Sequence, residues 1–169
     1  KLYLNTIKKY NRKHLDIFAG LFCELLKLYE KYKNSNDWCD PLGEYYEALA
    51  TKYKKSAFGQ FFTPKEVCTL MAGLIIEPDK WGTDINEPCV GSGRNVMAIS
   101  AISEGNYYIC QDLDPICCKM TAINLCFHNI RAEIHCMDTI NNTNRIFSFS
   151  VNYEFWKHKK PVIFMYTPS

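Results

Sequence analysis

The feature that most constrains this 169-residue chain is the stretch Glu-Pro-Cys-Val-Gly-Ser-Gly at positions 87–93. It follows a short strand-like run and precedes an apolar run at 96–102 with helical spacing. Because glycine has no Cβ, a turn with Gly91 and Gly93 lets the backbone come close to a ligand. The carboxylate of Glu87 can accept a hydrogen bond from a hydroxyl or ammonium group. The stretch predicts either a cradle for a small cofactor or a plain turn.

A second signal lies upstream, in Gly-Gln-Phe-Phe-Thr-Pro-Lys-Glu at positions 59–66. Thr63, Pro64 and Glu66 fit the pattern of a helix start, with the threonine as N-cap and the glutamate closing a capping box. Apolar residues at helical spacing then predict a helix as far as position 75. Capping explains the threonine and the glutamate, but it does not explain the two aromatic residues before them.

Two more carboxylates stand where predicted strands end. Strand-like runs are followed directly by Asp112 and by Asp138. In nucleotide-binding α/β folds, an acid about 20 residues after the glycine turn usually accepts from ribose hydroxyls, and Asp112 stands 19 positions after Gly93. Ligands of open α/β sheets lie at the carboxyl ends of the strands. We therefore expect Glu87, Asp112 and Asp138 to meet at one edge of a sheet.

The order of these motifs, with Gln-Asp-Leu-Asp-Pro and Cys-Met-Asp-Thr-Ile, makes the chain resemble the adenine-N6 DNA methyltransferases. It resembles in particular the modification subunit of type I restriction systems. The resemblance covers about residues 38–140 and includes a helix-like segment at 40–47. The glycine motif alone is shared by many methyltransferases, whereas its pairing with Phe-Phe-Thr-Pro is much more specific. The resemblance implies a doubly wound, Rossmann-like α/β fold with an N-terminal helical extension.

The resemblance also implies a cofactor, S-adenosylmethionine, and a role for each motif. The aromatic–threonine pair would hold the methionine end, and the glycine turn would surround the methionine and the ribose. Asp112 would accept from the ribose hydroxyls, Leu113 would pack near the adenine, and Asp138 would accept from the adenine amino group. Without a ligand, helix capping would account for Asp112, and an ordinary loop would account for Asp138. The implied cofactor-binding residues are Phe62, Thr63, Glu87, Pro88, Gly91, Gly93, Asp112, Leu113 and Asp138.

The sequence departs from the family at the target base. Active members carry Asn-Pro-Pro-Phe, Asn-Pro-Pro-Tyr or a close variant after the fourth strand, and this sequence has none. In that tetrad a polar residue accepts from the adenine amino group, and the aromatic ring stacks on the flipped base. The nearest remnant is 152–155, which keeps Asn152 and Phe155 as candidate catalytic residues but has lost both prolines. Thr167-Pro168-Ser169 is a weaker candidate, so methyl transfer to adenine stays open.

By length the chain is one domain. We divide it into an N-terminal helical segment, 1–58, and a cofactor-binding methyltransferase-like domain, 59–169. Helical spacing predicts a helix at 15–32 and another at 41–54, the second with Leu42, Tyr45, Tyr46 and Leu49 facing inward. A complete methyltransferase sheet has seven strands, whereas we find five strand-like runs, which indicates an abbreviated sheet or a fragment. These runs lie near 84–87, 107–111, 132–137, 145–151 and 161–166.

Composition limits the partners and the compartment. A net charge of +2 gives no bulk attraction to nucleic acid, although basic clusters at 8–13 and 52–55 could meet phosphates; more often such clusters are solvated faces. The nine cysteines include no Cys-x-x-Cys pair, so we expect reduced, mostly buried thiols and no metal site. The sequence shows no signal peptide or apolar run of membrane length, and we expect a cytoplasmic protein without a membrane partner.

Three functions remain open from the sequence. The first is an adenine-specific DNA methyltransferase-like enzyme with a divergent target loop, which by resemblance would meet DNA through a specificity subunit. The second is a non-catalytic S-adenosylmethionine-binding module of a DNA-modification or mobile-element system, acting through a protein partner. The third is a methyltransferase for a protein or small-molecule nitrogen. The first predicts that the amide of Asn152 points at the cofactor cleft.

Overall fold

The structure is a computed structural model that describes residues 2–32, 37–53, 61–78, 80–154, 157 and 160–167. The predicted α/β class is confirmed, and each predicted strand begins and ends within two residues of the corresponding observed strand. In chain order, the elements are α1 (Leu2–Ile7), α2 (Arg12–Tyr32), α3 (Pro41–Tyr53), α4 (Lys65–Ile75), β1 (Asp84–Glu87), α5 (Arg94–Ile102), β2 (Tyr107–Asp112), α6 (Pro115–Phe127), β3 (Arg131–Asp138), β4 (Thr143–Val151) and β5 (Ile163–Tyr166).

The strands form one mixed sheet in the order β1-β2-β3-β4-β5. β1, β2 and β3 are parallel neighbours, and α5 and α6 supply the crossovers that parallel pairs require. β4 is antiparallel to β3, and β5 is antiparallel to β4. The carboxyl ends of the first three strands bring Glu87, Asp112 and Asp138 to one edge of the sheet, as predicted. The carboxyl end of β4 lies at the opposite edge.

Within the described residues the sheet is wound in one direction only, because the strand order never reverses. A doubly wound sheet reverses its strand order after the first half, but here Asp138 and Thr143 pair across a short hairpin. Asn142 in that hairpin has a left-handed backbone, with φ of 52°, which asparagine tolerates in turns. The Rossmann-like β1-α5-β2-α6-β3 unit and the short sheet are as expected, and the second direction of winding is absent from this part of the chain.

One hydrophobic core lies between the helices and one face of the sheet. α4 packs against α5, and α6 contacts β2, β3, β4 and β5. In β3, Ala132 and Ile134 are buried in this core, whereas Arg131 and Glu133 point to the other face and are half-buried. This period of two is typical of a sheet that is covered on one side. Large core side chains are Val96, Met97, Tyr108, Leu125, Ile134 and Val151.

Helix α3 forms, but Tyr45 and Leu49, which were predicted to face inward, are 65% and 40% exposed. Helix α2 also forms as predicted, and its apolar stripe is exposed over most of its length. Tyr29 is its one buried residue, and Phe18 and Phe22 are 43% and 51% exposed. The helix meets the core at its C-terminal end, where the Tyr29 ring stacks on Phe127 with ring centres 5.0 Å apart. The Tyr29 hydroxyl donates to Oδ1 of Asn124 at 2.5 Å. Helical periodicity thus identified the helix but not how much of it is covered.

Replacing Tyr29 with Phe removes the hydroxyl that donates to Asn124 and keeps the ring. We expect the free energy of unfolding to fall by about 1 kcal/mol or more, because a buried amide oxygen loses its partner. Urea denaturation followed by circular dichroism measures the change. The matched control is Tyr45→Phe, at a tyrosine that is 65% exposed, which should leave the midpoint unchanged. Equal shifts in both variants would contradict the role of the Tyr29 hydroxyl.

Candidate functional site

An open cleft of about 220 Å³ lies at the carboxyl ends of β1 and β2. One wall is the glycine turn between β1 and α5, and the other is the extended segment that precedes α4. Parallel α/β sheets bind their ligands at this edge. The lining residues are Phe61, Phe62, Thr63, Cys89, Val90, Gly91, Ser92, Arg94, Asn95, Asp112 and Cys117.

The glycine turn has a backbone that favours glycine at two positions. Gly91 and Gly93 have φ angles of +57° and +96°, in the left-handed region that residues with a side chain rarely adopt. A Cβ on Gly91 would lie only 3.0 Å from Cδ1 of Phe62, so the aromatic ring packs directly on the turn. A side chain at position 91 would therefore displace the Phe62 ring, and the backbone of Gly91 lines the cleft beside that ring.

Asp112 fixes the turn from the end of β2. Its Oδ2 accepts from the Gly91 N–H at 2.8 Å, and its Oδ1 accepts from the Asp114 N–H at 2.8 Å. On the other side, the Thr121 hydroxyl donates to the Gly91 carbonyl at 2.8 Å. A carboxylate oxygen accepts more than one hydrogen bond, so Asp112 keeps acceptor capacity toward the cleft that it lines. Asp114 caps α6 as its sequence position predicts, accepting from the Ile116 N–H at 2.7 Å.

Glu87 ends β1 and meets the cleft through its neighbours. Its Oε1 accepts from the Cys89 N–H at 3.2 Å, and its Oε2 accepts from the side-chain amide of Asn95 at 3.1 Å. Cys89 and Asn95 line the cleft, whereas Glu87 is half-buried and does not belong to the described lining. The predicted acceptor for a hydroxyl or ammonium group is therefore one residue removed from the cleft wall.

A buried carboxylate, that of Asp40, joins the N-terminal helices to the glycine turn. The residue is only 2% exposed. A buried charge is tolerated when it is paired and fully hydrogen-bonded, and four groups donate to this one. They are the Gly43 N–H at 2.8 Å, the Asn124 amide at 2.7 Å, and the Ser92 hydroxyl and the Arg94 Nε–H, both at 2.6 Å.

The guanidinium of Arg94 connects three segments of the chain. Besides Nε, Nη2 donates to Oε2 of Glu47 at 2.8 Å, and Nη1 donates to the Thr63 carbonyl at 3.2 Å. Oε1 of Glu47 in turn accepts from the Phe62 N–H at 3.0 Å. The guanidinium carbon lies 5.4 Å from the centre of the Phe62 ring, within the range of a cation–π contact. Two ion pairs of one guanidinium thus hold the aromatic wall of the cleft against the glycine turn.

Asp40, Glu47 and Arg94 are site residues that the sequence analysis missed. Burial disfavours the charged form of Arg94, but the hydrogen bonds and charges of Asp40 and Glu47 outweigh it and raise the pKa of the guanidinium. The sequence signal that could have identified Arg94 as a site residue is its position at the start of a helix. A positive charge there opposes the helix dipole, so it requires acidic partners from elsewhere in the chain.

The start of α4 differs from the prediction. The sequence predicts a capping box on Thr63, but α4 begins at Lys65, its N-cap is Pro64, and no side chain caps it. The Thr63 carbonyl accepts instead from Arg94 and from the Cys68 thiol at 3.5 Å. Because partners in α3 and α5 hold the backbone on both sides of this residue, the chain stays extended up to the proline. The preceding Gly59 and Gln60 lie outside the described residues, as does the predicted domain boundary at 58/59.

Leu113 and Asp138 stand at strand ends, but neither belongs to the described lining of the cleft. Leu113 directly follows β2 and is 66% exposed. The two oxygens of Asp138 accept from the backbone and side-chain N–H groups of Asn141 at 3.0 and 2.7 Å, and these bonds lower the pKa of Asp138. The Thr139 hydroxyl donates to the Pro88 carbonyl at 3.0 Å, which ties the β3–β4 hairpin to the glycine turn.

Asn152 is a structural residue, and this corrects its assignment to a target-base loop. It follows β4, so it lies at the sheet edge opposite the cleft. It is completely buried, with no exposed surface. Its amide is held mainly by backbone groups: Nδ2 donates to the carbonyls of Leu125, Cys126 and Ile130 at 3.0–3.3 Å, and Oδ1 accepts from the Val162 N–H at 3.0 Å and from the Cys126 thiol at 3.9 Å.

The other target-loop candidates are placed as follows. Phe155 lies outside the described residues, and so do Pro168 and Ser169. Thr167 follows β5, which runs parallel to β3 because two antiparallel pairings separate them. Thr167 therefore lies at the same sheet edge as the cleft, two strands beyond β3.

The described ranges contain no helix long and apolar enough to cross a membrane, and no group of three or more His, Cys, Asp or Glu side chains that could hold a metal ion. All nine cysteines are free, and Cys23 and Cys89 are the exposed ones. Burial raises the pKa of Cys117, which lines the cleft, to about 12. Cys89 is therefore the accessible thiol of the cleft.

A parallel β-α-β unit with a glycine turn after its first strand and an acid after its second is typical of nucleotide-binding α/β domains. Residues 37–157 match the N-6 DNA methylase family. The chain belongs to that family, and the resemblance inferred from its motifs is confirmed. Among solved structures it is similar to the methyltransferase subunit of the type I restriction-modification system from Streptococcus thermophilus, with 25% sequence identity and a TM-score of 0.49. That match covers 61% of this chain and 24% of the other.

Substitutions at Asn152 test its structural role. We expect Asn152→Ala to lower the free energy of unfolding by about 2 kcal/mol or more, since four backbone groups lose their partner. Asn152→Asp keeps an acceptor for the Val162 N–H but turns a carboxylate oxygen toward three carbonyls. Folding should then raise the pKa of the new carboxyl, so the loss should be largest at neutral pH and smaller as the pH falls and the group is protonated. Unchanged unfolding midpoints would return Asn152 to the list of functional candidates.

Proposed function

We propose that the chain binds S-adenosylmethionine in the cleft at the carboxyl ends of β1 and β2, as the methyl-donor site of a system that modifies adenine N6 in DNA. The observation that carries the proposal is the pair formed by Gly91 and Asp112. Bare backbone and a carboxylate with spare acceptor capacity stand side by side at the edge where α/β sheets bind nucleotides. Membership of the N-6 DNA methylase family supports both the cofactor and the substrate.

The residues around the cleft suit the parts of this cofactor. Asp112 can accept from the ribose hydroxyls, and the exposed Leu113 beside it offers apolar surface for the adenine. Phe62 and Thr63 face the glycine turn and suit the methionine end. Glu87 lies behind the cleft wall, where it contacts Cys89 and Asn95, and its carboxylate adds negative charge near the ammonium group. When bound, the cofactor supplies an electrophilic methyl group, and the chain supplies the pocket that orients it.

Asp138 is the proposed acceptor for the adenine amino group of the cofactor. Its oxygens already accept from Asn141, but each can accept a second hydrogen bond. The hydrogen bond from Thr139 to Pro88 supports this role, because it draws the loop after β3 toward the glycine turn.

A second function, a cofactor-binding module without its own transfer activity, is favoured by the position of Asn152. The described residues supply no Asn-Pro-Pro-aromatic loop at the cleft edge, and the nearest remnant is buried at the other edge. In this alternative a partner supplies the group that binds the target base. A methyltransferase for a protein or small-molecule nitrogen finds less support, because the family of the chain acts on DNA.

Protection of Cys89 tests cofactor binding with a control inside the same molecule. Cys89 lines the cleft and is exposed, and Cys23 is exposed on α2, which takes no part in the cleft lining. We expect saturating S-adenosylmethionine or S-adenosylhomocysteine to slow alkylation of Cys89 by iodoacetamide about tenfold and to leave Cys23 unchanged. Peptide mass spectrometry reads both thiols in one sample. Equal alkylation with and without ligand, together with no heat in calorimetric titration, would refute the proposed site.

The ribose assignment is tested by Asp112→Asn, with Asp114→Asn as the matched control. The first substitution removes a charge from the cleft lining, and the second removes one from the adjacent helix cap, outside the described lining. We expect Asp112→Asn to weaken S-adenosylmethionine about tenfold, the value of one hydrogen bond to a charged group, and the control to change affinity less than twofold. Calorimetry measures both. An unchanged affinity in Asp112→Asn would remove the ribose role.

Transfer of a labelled methyl group separates the two candidate functions. The assay incubates the chain with methyl-labelled S-adenosylmethionine and adenine-rich DNA, alone and with a cell extract. Label in N6-methyladenine with the purified chain alone supports the enzyme. Cofactor binding without label in that sample supports the module.

A further inference from the structure

Basic residues are concentrated where α1 meets α2. Lys8 and Lys9 follow α1, and Arg12 and Lys13 are the first two residues of α2. These four residues are exposed, and together they form the basic tip of α2. With Asp16 as the one acid, residues 8–16 carry a net charge of +3, whereas the whole chain carries +2. The rest of the chain therefore sums to −1, so the excess positive charge lies in this one segment.

The chain itself neutralises little of this charge. Arg12 Nε donates to Oδ1 of Asp16 at 3.1 Å, but the two side chains are 89% and 63% exposed, so solvent and salt weaken the pair. Within the described ranges, Lys8, Lys9 and Lys13 have no acidic partner. The first turn of α2 also contains no acid, and positive charges there oppose the helix dipole. Helix stability therefore does not explain the basic tip, whereas a bound anion would offset this opposition.

The basic tip stands at the far end of a projecting helix. α2 meets the core at its C-terminal end, where Tyr29 is its one buried residue. Arg12 lies 17 residues earlier, about 26 Å along an α-helix. Local contacts hold the corner between α1 and α2: the Tyr10 N–H donates to the Ile7 carbonyl at 3.0 Å, and the Tyr10 and Phe18 rings meet edge to face with centres 4.9 Å apart. The cations are therefore presented at a defined distance from the domain.

We propose that the basic tip binds the phosphate backbone of duplex DNA and so adds sequence-independent affinity for the substrate. Lysine and arginine side chains that neutralise phosphates release counterions from DNA, and this release favours binding whatever the base sequence. The inference rests on the proposed function, since membership of the N-6 DNA methylase family makes DNA the polyanion to expect. The tip would contact the substrate away from the cleft and take no part in the transfer step.

An anionic membrane surface fits the same helix less well. α2 exposes apolar residues, and helices that lie on membranes combine an apolar face with lysine and arginine on the polar face. Beyond the basic tip, however, α2 carries three acids, Asp16, Glu24 and Glu30, against the two lysines Lys27 and Lys31. That part of the helix therefore has a net negative charge, which an anionic surface would repel. The charge distribution favours a partner that meets the tip alone.

Salt-dependent binding to duplex DNA tests the inference. The variant combines Lys8→Gln, Lys9→Gln, Arg12→Gln and Lys13→Gln, and fluorescence anisotropy follows a labelled duplex of about 30 base pairs between about 50 and 200 mM salt. We expect at least tenfold weaker binding at about 100 mM salt. The slope of log K against log salt should become shallower by roughly 2 to 4, because each lost phosphate contact removes about 0.9. Since the four side chains are exposed, the unfolding midpoint should not fall.

The matched control removes the same number of positive charges from other surfaces of the chain. It changes four exposed lysines outside the basic tip: Lys27→Gln, Lys31→Gln, Lys119→Gln and Lys157→Gln. Both variants lower the net charge by four, so only the place of the charges differs. The control should bind the duplex within threefold of the unaltered chain and keep its salt slope. Equal losses in the two variants would show a bulk charge effect and would overturn the inference.

Two other results would also overturn it. The first is that the unaltered chain does not bind the duplex. The second is that the chain binds vesicles of phosphatidylcholine and phosphatidylserine through the basic tip and binds no DNA, which would make the tip a membrane contact. Calorimetry with S-adenosylmethionine on the same samples keeps the proposed function separate, because none of the tip residues lines the cleft. Cofactor binding without duplex binding would leave the proposed cofactor site standing and remove the DNA contact alone.

Discussion

The buried carboxylate of Asp40 is the interaction on which the cleft depends. Burying a charge costs several kcal/mol, and removing one partner from a buried ion pair costs about 3–5 kcal/mol, so the four donors around Asp40 must stay together. Those donors belong to the start of α3, to the glycine turn, to α5 and to α6. One side chain thereby fixes the relative positions of the elements that enclose the cleft, and Glu47 extends this control to the aromatic wall.

Much of the fold was predictable because its signals are local. Short strand-like runs located the five strands, and the carboxyl ends of parallel strands then brought three acids to one edge. Strand direction was not predictable in the same way. A period of two is identical for parallel and antiparallel strands, so the sequence before Asn152 did not reveal that β4 runs against β3. The short hairpin at Asn142 reverses the chain direction. Asn152, which was expected in the target-base loop, therefore follows β4 at the sheet edge opposite the cleft.

The site was predictable where a motif is continuous and unpredictable where it is assembled from distant residues. The left-handed backbone of Gly91 and the position of Asp112 follow from adjacent residues and from one strand end. The pairing of Arg94 with Asp40, in contrast, spans 54 positions. A single sequence displays both charges but not their contact. The same holds for the exposure of Phe18 on α2, because amphipathic spacing shows which face is apolar and not which turns are covered.

The hydrogen bond from the Phe62 N–H to Glu47 has a consequence for how such a domain can be inherited or engineered. The aromatic wall of the cleft is oriented by a residue of α3, which lies 15 positions earlier in the chain. A truncated protein that begins at the Phe-Phe-Thr-Pro motif would keep the motif but lack Asp40 and Glu47, which hold the motif in place. The smallest portable unit of this cleft therefore starts ahead of Asp40, and recombination between relatives would preserve the pocket only when its crossover falls before that residue.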